Sequence, residues 1–530
     1  MQSVPTSAEA APEPAPEPTQ DPPTGRPVAA GRTALALIAA STVVLAVVMG
    51  LGPSATVPPL DSGGPMWWLA ARPSAATVIA LERAGLLVGA IGVAMGLAAA
   101  RRGWRPATGL LLGAGAAAAA VYIFLPPAGS IDVLNYAIYG RIASLGHNPY
   151  LMRPSELYRS GDAVGLFAPS NWRTLPTIYG PVATGVQWAA ARLGGGSMAR
   201  IVFWIRFANA VAFVAAAAGL VRLAGADRAR QARVCLLWAV NPLMLFWLVG
   251  SGHVDVLPAL LVVASLITIR GLRVANGAVT GALIGVATAI KTPFILAAGG
   301  LFWAARRSPR TVVAGLAGVT AVLVPSYLLP GVLNTAVLSR RLSVSAGFIY
   351  PVPAVVAARP ALFGGVVLGA TAALALLLIW RLPAGQPGSA AVRPAIALAL
   401  AWLAVFPVQT PWYDALVFPL LALMPWSRLD YLVVIRCLLL SEMLLPGVQA
   451  NSGSLSVAIA EVSHLGLAAL VGLLVVACLL RAWGGERSRY SSPASVSCSP
   501  DAAPPITGRD DNRMSAAQQV ISNGAVTECN

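Results

Sequence analysis

The sequence predicts an all-α, polytopic membrane protein: a bundle of about 12–14 transmembrane helices, each needing about 20 apolar residues to span. Three observations carry this reading. The 530 residues are 57% hydrophobic and 11% charged, whereas a soluble chain carries about 25% charged residues. Apolar runs near spanning length recur along most of the chain, without the apolar–polar alternation of outer-membrane barrel strands. The net charge of +16, from 36 basic and 20 acidic residues, is gathered in short arginine clusters between those runs. Such clusters read as topology signals and headgroup contacts rather than a nucleic-acid footprint.

In chain order, residues 1–30 are rich in Pro, Ala and Glu and are expected to be a disordered cytoplasmic tail. No signal peptide is expected, because the first apolar run opens only near Thr33 and is long enough to span. A membrane domain is expected over 31–483. Its runs are 33–51, 77–99, 107–127, 198–221, 234–249, 256–270, 276–288, 292–305, 311–329, 354–380, 395–409, 414–426, 430–446 and 456–480. The pair flanking Lys291 reads as two short spans or one broken unit. Residues 484–530 form a polar, Ser-rich tail, again expected to be disordered and cytoplasmic. The five cysteines, Cys235, Cys437, Cys478, Cys498 and Cys529, show no metal-ligand spacing and predict no disulfide framework.

Threading the runs alternately puts the arginine clusters at 101–105, 222–233, 270–273, 306–310, 381–393, 428 and 481–489 on the side of the N-terminus. By the positive-inside rule that side is the cytoplasm. The other side receives the long 128–197 loop, whose length and aromatic content predict a folded functional segment.

The polar motifs cluster on that outer side. Asp132, in Ser130-Ile-Asp132-Val-Leu-Asn-Tyr136-Ala-Ile-Tyr139-Gly-Arg141, lies just past an apolar run. It reads either as a general base toward a hydroxyl or as a cap of the next helix. Gly146-His147-Asn148-Pro149-Tyr150 is a turn signal. Trp172, Arg173, Thr174, Pro176 and Tyr179-Gly180-Pro181 suit a sugar and phosphate site or an interfacial aromatic belt. Asn241-Pro242 and Gly250-Ser-Gly252-His253-Val-Asp255 join two apolar runs through a tight turn. His253 and Asp255 are two metal-capable ligands with no third nearby. Lys291 is the sole lysine, inside an apolar stretch, where a phosphate partner or snorkelling would relieve its charge. Arg340-Arg341 is the basic pair on the outer side, a headgroup or phosphate contact. Gln409, Pro411, Trp412, Tyr413 and Asp414 mark an outer helix junction.

Together, in this order, these residues resemble the actinobacterial polyprenol-phosphate-mannose-dependent α-(1→6)-mannosyltransferases, the MptA/MptB family of the GT-C superfamily. The likeness rests on Asp132 with Tyr136, Asn148-Pro149-Tyr150, Trp172-Arg173-Thr174, Pro176, Tyr179-Gly180-Pro181, Asn241-Pro242, His253, Lys291 with Pro293, and Gln409 with Pro411-Trp412-Tyr413. One departure is Val254-Asp255, where the family often has an Asn-Glu type pair. The resemblance implies a GT-C bundle with an outer cavity capped by the first long loop. It implies transfer, with inversion, of a sugar, most readily mannose, from a polyprenyl monophosphate to a cell-envelope glycan or lipoglycan. Asp132 is then the base. Lys291, Arg340, Arg341 and Arg173 are phosphate-binding. Tyr136, Trp172, Tyr179, His253, Asp255, Gln409, Trp412 and Tyr413 line the sugar and acceptor sites. No cofactor is expected, a divalent metal being the one alternative. The expected location is the inner (plasma) membrane, with the site on its extracytoplasmic face. The competing readings are a transporter or flippase of polyprenyl-linked sugars, and a same-fold transferase for an arabinofuranosyl donor. A flippase would place polar groups toward both faces, whereas the non-basic polar motifs here gather on one.

Overall fold

The structure, a computed structural model, describes residues 25–271, 273–333, 360–383, 390–406, 408–447 and 454–480. Among them the regular elements are all helical. Among the described residues seven helices are long and apolar enough to cross a membrane: Gly25–Gly50, Ala75–Arg101, Met198–Ala224, Arg228–Gly250, Pro309–Tyr327, Gly364–Arg381 and Leu455–Leu479. Five further apolar helices run 10–17 residues. The protein is therefore a multi-pass helical membrane protein.

In chain order the helices are α1 (Gly25–Gly50), α2 (Ala75–Arg101), α3 (Thr108–Ile123), α4 (Asp132–Ser144), α5 (Pro154–Arg159), α6 (Pro181–Gly194) and α7 (Met198–Ala224). There follow α8 (Arg228–Val234), α9 (Pro242–Leu245), α10 (Val256–Thr268), α11 (Val274–Ile290), α12 (Ala297–Ala305) and α13 (Pro309–Tyr327). The last five are α14 (Pro360–Arg381), α15 (Val392–Val405), α16 (Phe418–Ala422), α17 (Leu429–Leu444) and α18 (Ser454–Leu479). Helix α1 begins at Gly25, ahead of the expected start near Thr33 and inside the segment expected to be disordered. The expected span 414–426 is instead a 3-10 turn, Pro411–Leu416, followed by the five-residue α16. Pro411, Pro419 and Pro425 each remove a backbone donor there. Helix α15 stops at Val405 because Phe406, the residue before Pro407, is extended at φ −67° and ψ 127°.

The helix through Arg228–Gly250 is buried from Ala232 onward and is not uniform. Asn241 caps α9 by accepting from Leu243 N, and Pro242 follows at the first helical position. π-turns at Cys235–Ala239 and Phe246–Gly250 flank this break. Trp238 stacks on Phe213 of α7, ring centroids 5.2 Å apart, and Trp247 donates its indole N–H to Ser441 of α17. A broken helix in the middle of the bundle delivers the polar turn that follows it.

Residues 128–197, expected to be folded rather than disordered, hold α4, α5, two 3-10 turns and α6. Their Val133, Tyr136, Tyr139, Leu157 and Val164 form an apolar core with Ile201 and Ile205 of α7. Arg141 pairs with Asp162, Nη2 to Oδ2 at 2.7 Å, tying α4 to the loop beyond α5. The segment sits on the ends of the long helices: Gly180 N donates to Ile290 O at the end of α11, and Asn148 Nδ2 donates to Pro330 O beyond α13. The arginine-rich helix ends lie at the other termini, where buried Arg233 of α8 pairs with Asp430 of α17.

Asp61, in the α1–α2 connection, accepts from Ser197 Oγ at 2.9 Å, Met198 N at 2.9 Å and Ala199 N at 3.0 Å. It satisfies the orphan donors at the start of α7. Replacing it with Ala removes a charged cap, worth about 1–2 kcal/mol. The Asp61→Ala protein is predicted to unfold at lower temperature than the parent in detergent; an unchanged midpoint contradicts the cap.

Candidate active site

The site is assembled where regular helix stops. Helix α11 ends at Ile290, and Lys291 leaves it with φ −148° and ψ 114° before the 3-10 turn Thr292–Leu296. The Lys291 ammonium donates to both Asp255 oxygens, at 2.6 and 2.8 Å. It also lies 4.0 Å from the centroid of the Tyr413 ring, a favourable place for a cation. The Asp255 side chain is 1% exposed and that of Lys291 is 11% exposed. Neither charge would be tolerated at that depth without the other.

Asp255 arrives on the Gly250–Asp255 turn. Gly252 turns the chain at φ 86°, and a Cβ there would meet Val133 and Arg206 at 2.8–3.0 Å. Arg206 of α7 is fully buried and donates to Tyr122 O in the last turn of α3, to Leu125 O just beyond it and to Val249 O. Asn209, one turn on, donates to Leu248 O and His253 O. These two side chains fix the turn that carries His253 and Asp255.

His253 is wholly buried, stacked on Trp412 with centroids 3.5 Å apart and planes 12° off parallel. Its Nδ1 faces Tyr136 Oη at 3.3 Å and Asp132 Oδ2 at 3.9 Å. Asp132 is the first residue of α4, whose N-cap position is Ile131. Its carboxylate therefore faces the His253 ring rather than capping its own helix. Burial pushes the Asp132 carboxyl up to about 6. Lys291 and the Trp172 side chain pull it down, and Asp255 pushes it up. At 16% exposure its side chain can still be reached.

The capping segment closes over this centre. Tyr179 Oη donates to Tyr136 Oη at 3.2 Å, the two rings meeting edge to face at 4.9 Å. Gly180 allows the approach, because a Cβ there would come 2.0 Å from Ala289 O. The Asn148-Pro149-Tyr150 turn frames it: Pro149 O accepts from Thr177 N, and Tyr150 Oη donates to Tyr179 O.

The sequence-predicted residues Asp132, Tyr136, Tyr179, His253, Asp255, Lys291, Trp412 and Tyr413 thus come together, with Trp172 beside Asp132. Arg173 is engaged within the loop, donating to Ala168 O and lying 4.1 Å over the Tyr158 ring. Gln409 is buried and donates to Leu403 O and Phe406 O. Arg340 and Arg341 lie outside the described residues. Arg206, Asn209 and Arg436 were not among the predicted site residues; an arginine inside an apolar run was the signal for the first and last. Among the described residues no group of three or more His, Cys, Asp or Glu side chains is arranged to hold a metal.

Residues 30–307, just over half of the chain, match the family described as Alpha-(1->6)-mannopyranosyltransferase, N-terminal domain, of the MptA and MptB type. The chain belongs to this family. The match takes in Asp132, the whole capping segment, His253, Asp255 and Lys291, and ends before Gln409. Among relatives, an Alpha-(1->6)-mannopyranosyltransferase B of Corynebacterium glutamicum is 26% identical over 208 residues, 36% of this chain and 35% of that protein. A probable alpha-(1->6)-mannopyranosyltransferase of Mycolicibacterium smegmatis is 29% identical over 160 residues, 29% of this chain and 28% of that protein. The chain thus spans about a third of the length of the curated relatives it matches. No solved structure matches it.

Removing one partner of the Lys291–Asp255 pair leaves a buried charge, which costs about 3–5 kcal/mol, whereas replacing both with apolar groups is often near neutral. Asp255→Asn is therefore predicted to destabilise the protein in mixed micelles far more than the Asp255→Leu, Lys291→Met double variant. Equal losses in the two would show that the pair is not coupled.

Proposed function

We propose that the protein is a membrane mannosyltransferase that moves mannose from a polyprenyl monophosphate to a hydroxyl of a cell-envelope glycan or lipoglycan, with inversion. The observation that carries this reading is Asp132: a carboxylate raised toward neutrality by burial, still partly exposed, held within a few ångströms of a buried histidine and close to the sole lysine. Membership of the mannopyranosyltransferase family supports the sugar and the reaction class. The single-sided arrangement supports transfer at the extracytoplasmic face of the plasma membrane, with the arginine-rich helix ends in the cytoplasm.

In the step itself, Asp132 takes the proton of the acceptor hydroxyl. The oxygen attacks the anomeric carbon of the donor sugar, and the bond from that carbon to the phosphate oxygen breaks. The electron pair leaves on the polyprenyl phosphate. Lys291 uses two N–H groups on Asp255, which leaves one to donate to the phosphate as its negative charge grows. Arg340 and Arg341 are the further phosphate partners. Trp172, Tyr179 and Tyr413, each partly exposed, offer ring faces to the sugars. Tyr136, His253 and Asp255 are buried and support these groups from behind.

The test uses membranes carrying the protein, radiolabelled polyprenyl-phosphate mannose and a short mannose oligomer. Asp132→Asn keeps the shape and loses the base, so transfer is predicted to fall by about 10²–10⁴-fold. The base works only when deprotonated, so kcat/KM of the parent is predicted to rise with pH through about 6, the value to which burial brings Asp132. Lys291→Met removes the charge that holds this value down, so the limb should move to higher pH. Near-normal transfer by a well-inserted Asp132→Asn protein would remove Asp132 from the chemistry.

A further inference from the structure

Trp412 and Tyr413, the two rings that touch His253 and Lys291, lie on a stretch of chain with little regular structure of its own. Phe406 is extended, and Thr410 is extended at φ −143° and ψ 151°. Only the short 3-10 turn Pro411–Leu416 follows. Something outside the stretch has to fix it. Arg436, near the middle of α17, reaches both of its ends: Nη1 donates to Asp414 Oδ1 and Nη2 donates to Gln409 Oε1. Gln409 in turn donates through Nε2 to Leu403 O and Phe406 O, tying the turn to the end of α15. The Asp414 side chain is 0% exposed and that of Arg436 is 13% exposed.

We propose that Arg436 is a positioning residue of this site: one guanidinium holds both ends of the 409–414 turn and so sets Trp412 against His253 and Tyr413 over Lys291.

The arm of Arg436 runs along an apolar groove between α15, α17 and α18, lined by aliphatic side chains such as Leu403, Val433 and Leu470. An apolar residue would pack there without burying a charge. An ion pair of this kind contributes little net stability over well-packed apolar groups. Its two-armed geometry instead specifies a distance, which an apolar contact does not. Arg206 and Asn209 do the same for the 250–255 turn from α7, so the two turns that meet at the His253–Trp412 stack are each held by polar side chains on a neighbouring helix. The partners that define this role of Arg436 are Asp414 and Gln409, neither of which takes part in the transfer step set out above. Its effect on transfer rests on the proposed function, but its effect on the turn does not.

The experiment reads the two separately. In the full chain with its five cysteines replaced, Thr410→Cys reports on the turn and Ser251→Cys, in the wholly buried neighbouring turn, reports on the fold. Thiol reaction rates and transfer kinetics are measured with Arg436, Arg436→Lys and Arg436→Met. In Arg436→Met the Thr410→Cys thiol is expected to react about tenfold faster or more, as a locally opened segment does, with the Ser251→Cys rate unchanged. Misplacement of the rings by about 1 Å is expected to lower kcat by about 100-fold, with donor KM little altered. Arg436→Lys keeps the pair to Asp414 and is expected to recover part of both. A Thr410→Cys rate unchanged in Arg436→Met would overturn the proposal. So would a rise at both reporters together, because Arg436 would then hold the fold as a whole. Loosening of the turn in a protein whose parent transfers no mannose would leave the clamp standing and sink the transferase reading instead.

Discussion

The Lys291–Asp255 ion pair is the constraint around which the site is arranged. A full pair of charges lies inside a chain that is 57% hydrophobic, and each member is supplied by a helix that has to stop to supply it. Lys291 follows the last residue of α11, and Asp255 precedes the first residue of α10. Because the pair has to close, those two helix ends have to meet, and the turn preceding α10 brings His253 with it. His253 then defines the position of Asp132 on one side and Trp412 on the other. In the low-dielectric setting of a membrane bundle such a pair is worth having only if its geometry is well made, and 2.6 and 2.8 Å to the two carboxylate oxygens meets that condition.

The same logic explains where backbone irregularity falls. Non-helical backbone is tolerated at membrane depth only where it is buried in protein or lines a cavity. Here the Phe246–Gly250 π-turn, the Gly252 turn and the Pro411 turn meet where Trp247, His253 and Trp412 pack together. Freed carbonyls are taken up by side chains: Arg206 serves Tyr122, Leu125 and Val249, Asn209 serves Leu248 and His253, and Gln409 serves Leu403 and Phe406. The capping segment, tied down through Gly180 and Asn148, adds the aromatic wall of Tyr136 and Tyr179.

Much of this was legible in the sequence. Composition and run length led to a helical membrane bundle. Asp132, His253, Asp255 and Lys291 stood out because a polar residue bordering an apolar run needs a reason. What was not legible was partnership. Nothing in the spacing says that Lys291 is matched to Asp255 from 36 positions away, or that His253 lies flat on Trp412. Arg206 and Arg436 passed as members of apolar runs because a single arginine barely changes the hydropathy of a window. Their function depends on which carbonyls and carboxylates the fold brings within reach. Gln409 and Arg173 sit in conspicuous motifs, and the spacing gives no sign that each also donates to nearby backbone, Gln409 to Leu403 O and Phe406 O and Arg173 to Ala168 O. The span expected at 414–426 failed because three prolines outweigh apolar composition when the chain chooses between helix and turn.

The central claim is that a lipid-linked phosphate and its sugar are received between Lys291 and Asp132. The most direct measurement is an experimental structure of the protein with a non-transferable polyprenyl-phosphonate mannose analogue. The account predicts the phosphonate at the Lys291 ammonium, with the anomeric carbon turned toward Asp132 and space between them for an acceptor hydroxyl. A phosphonate bound at the arginine-rich far end of the bundle, or an anomeric carbon out of reach of Asp132, would contradict it.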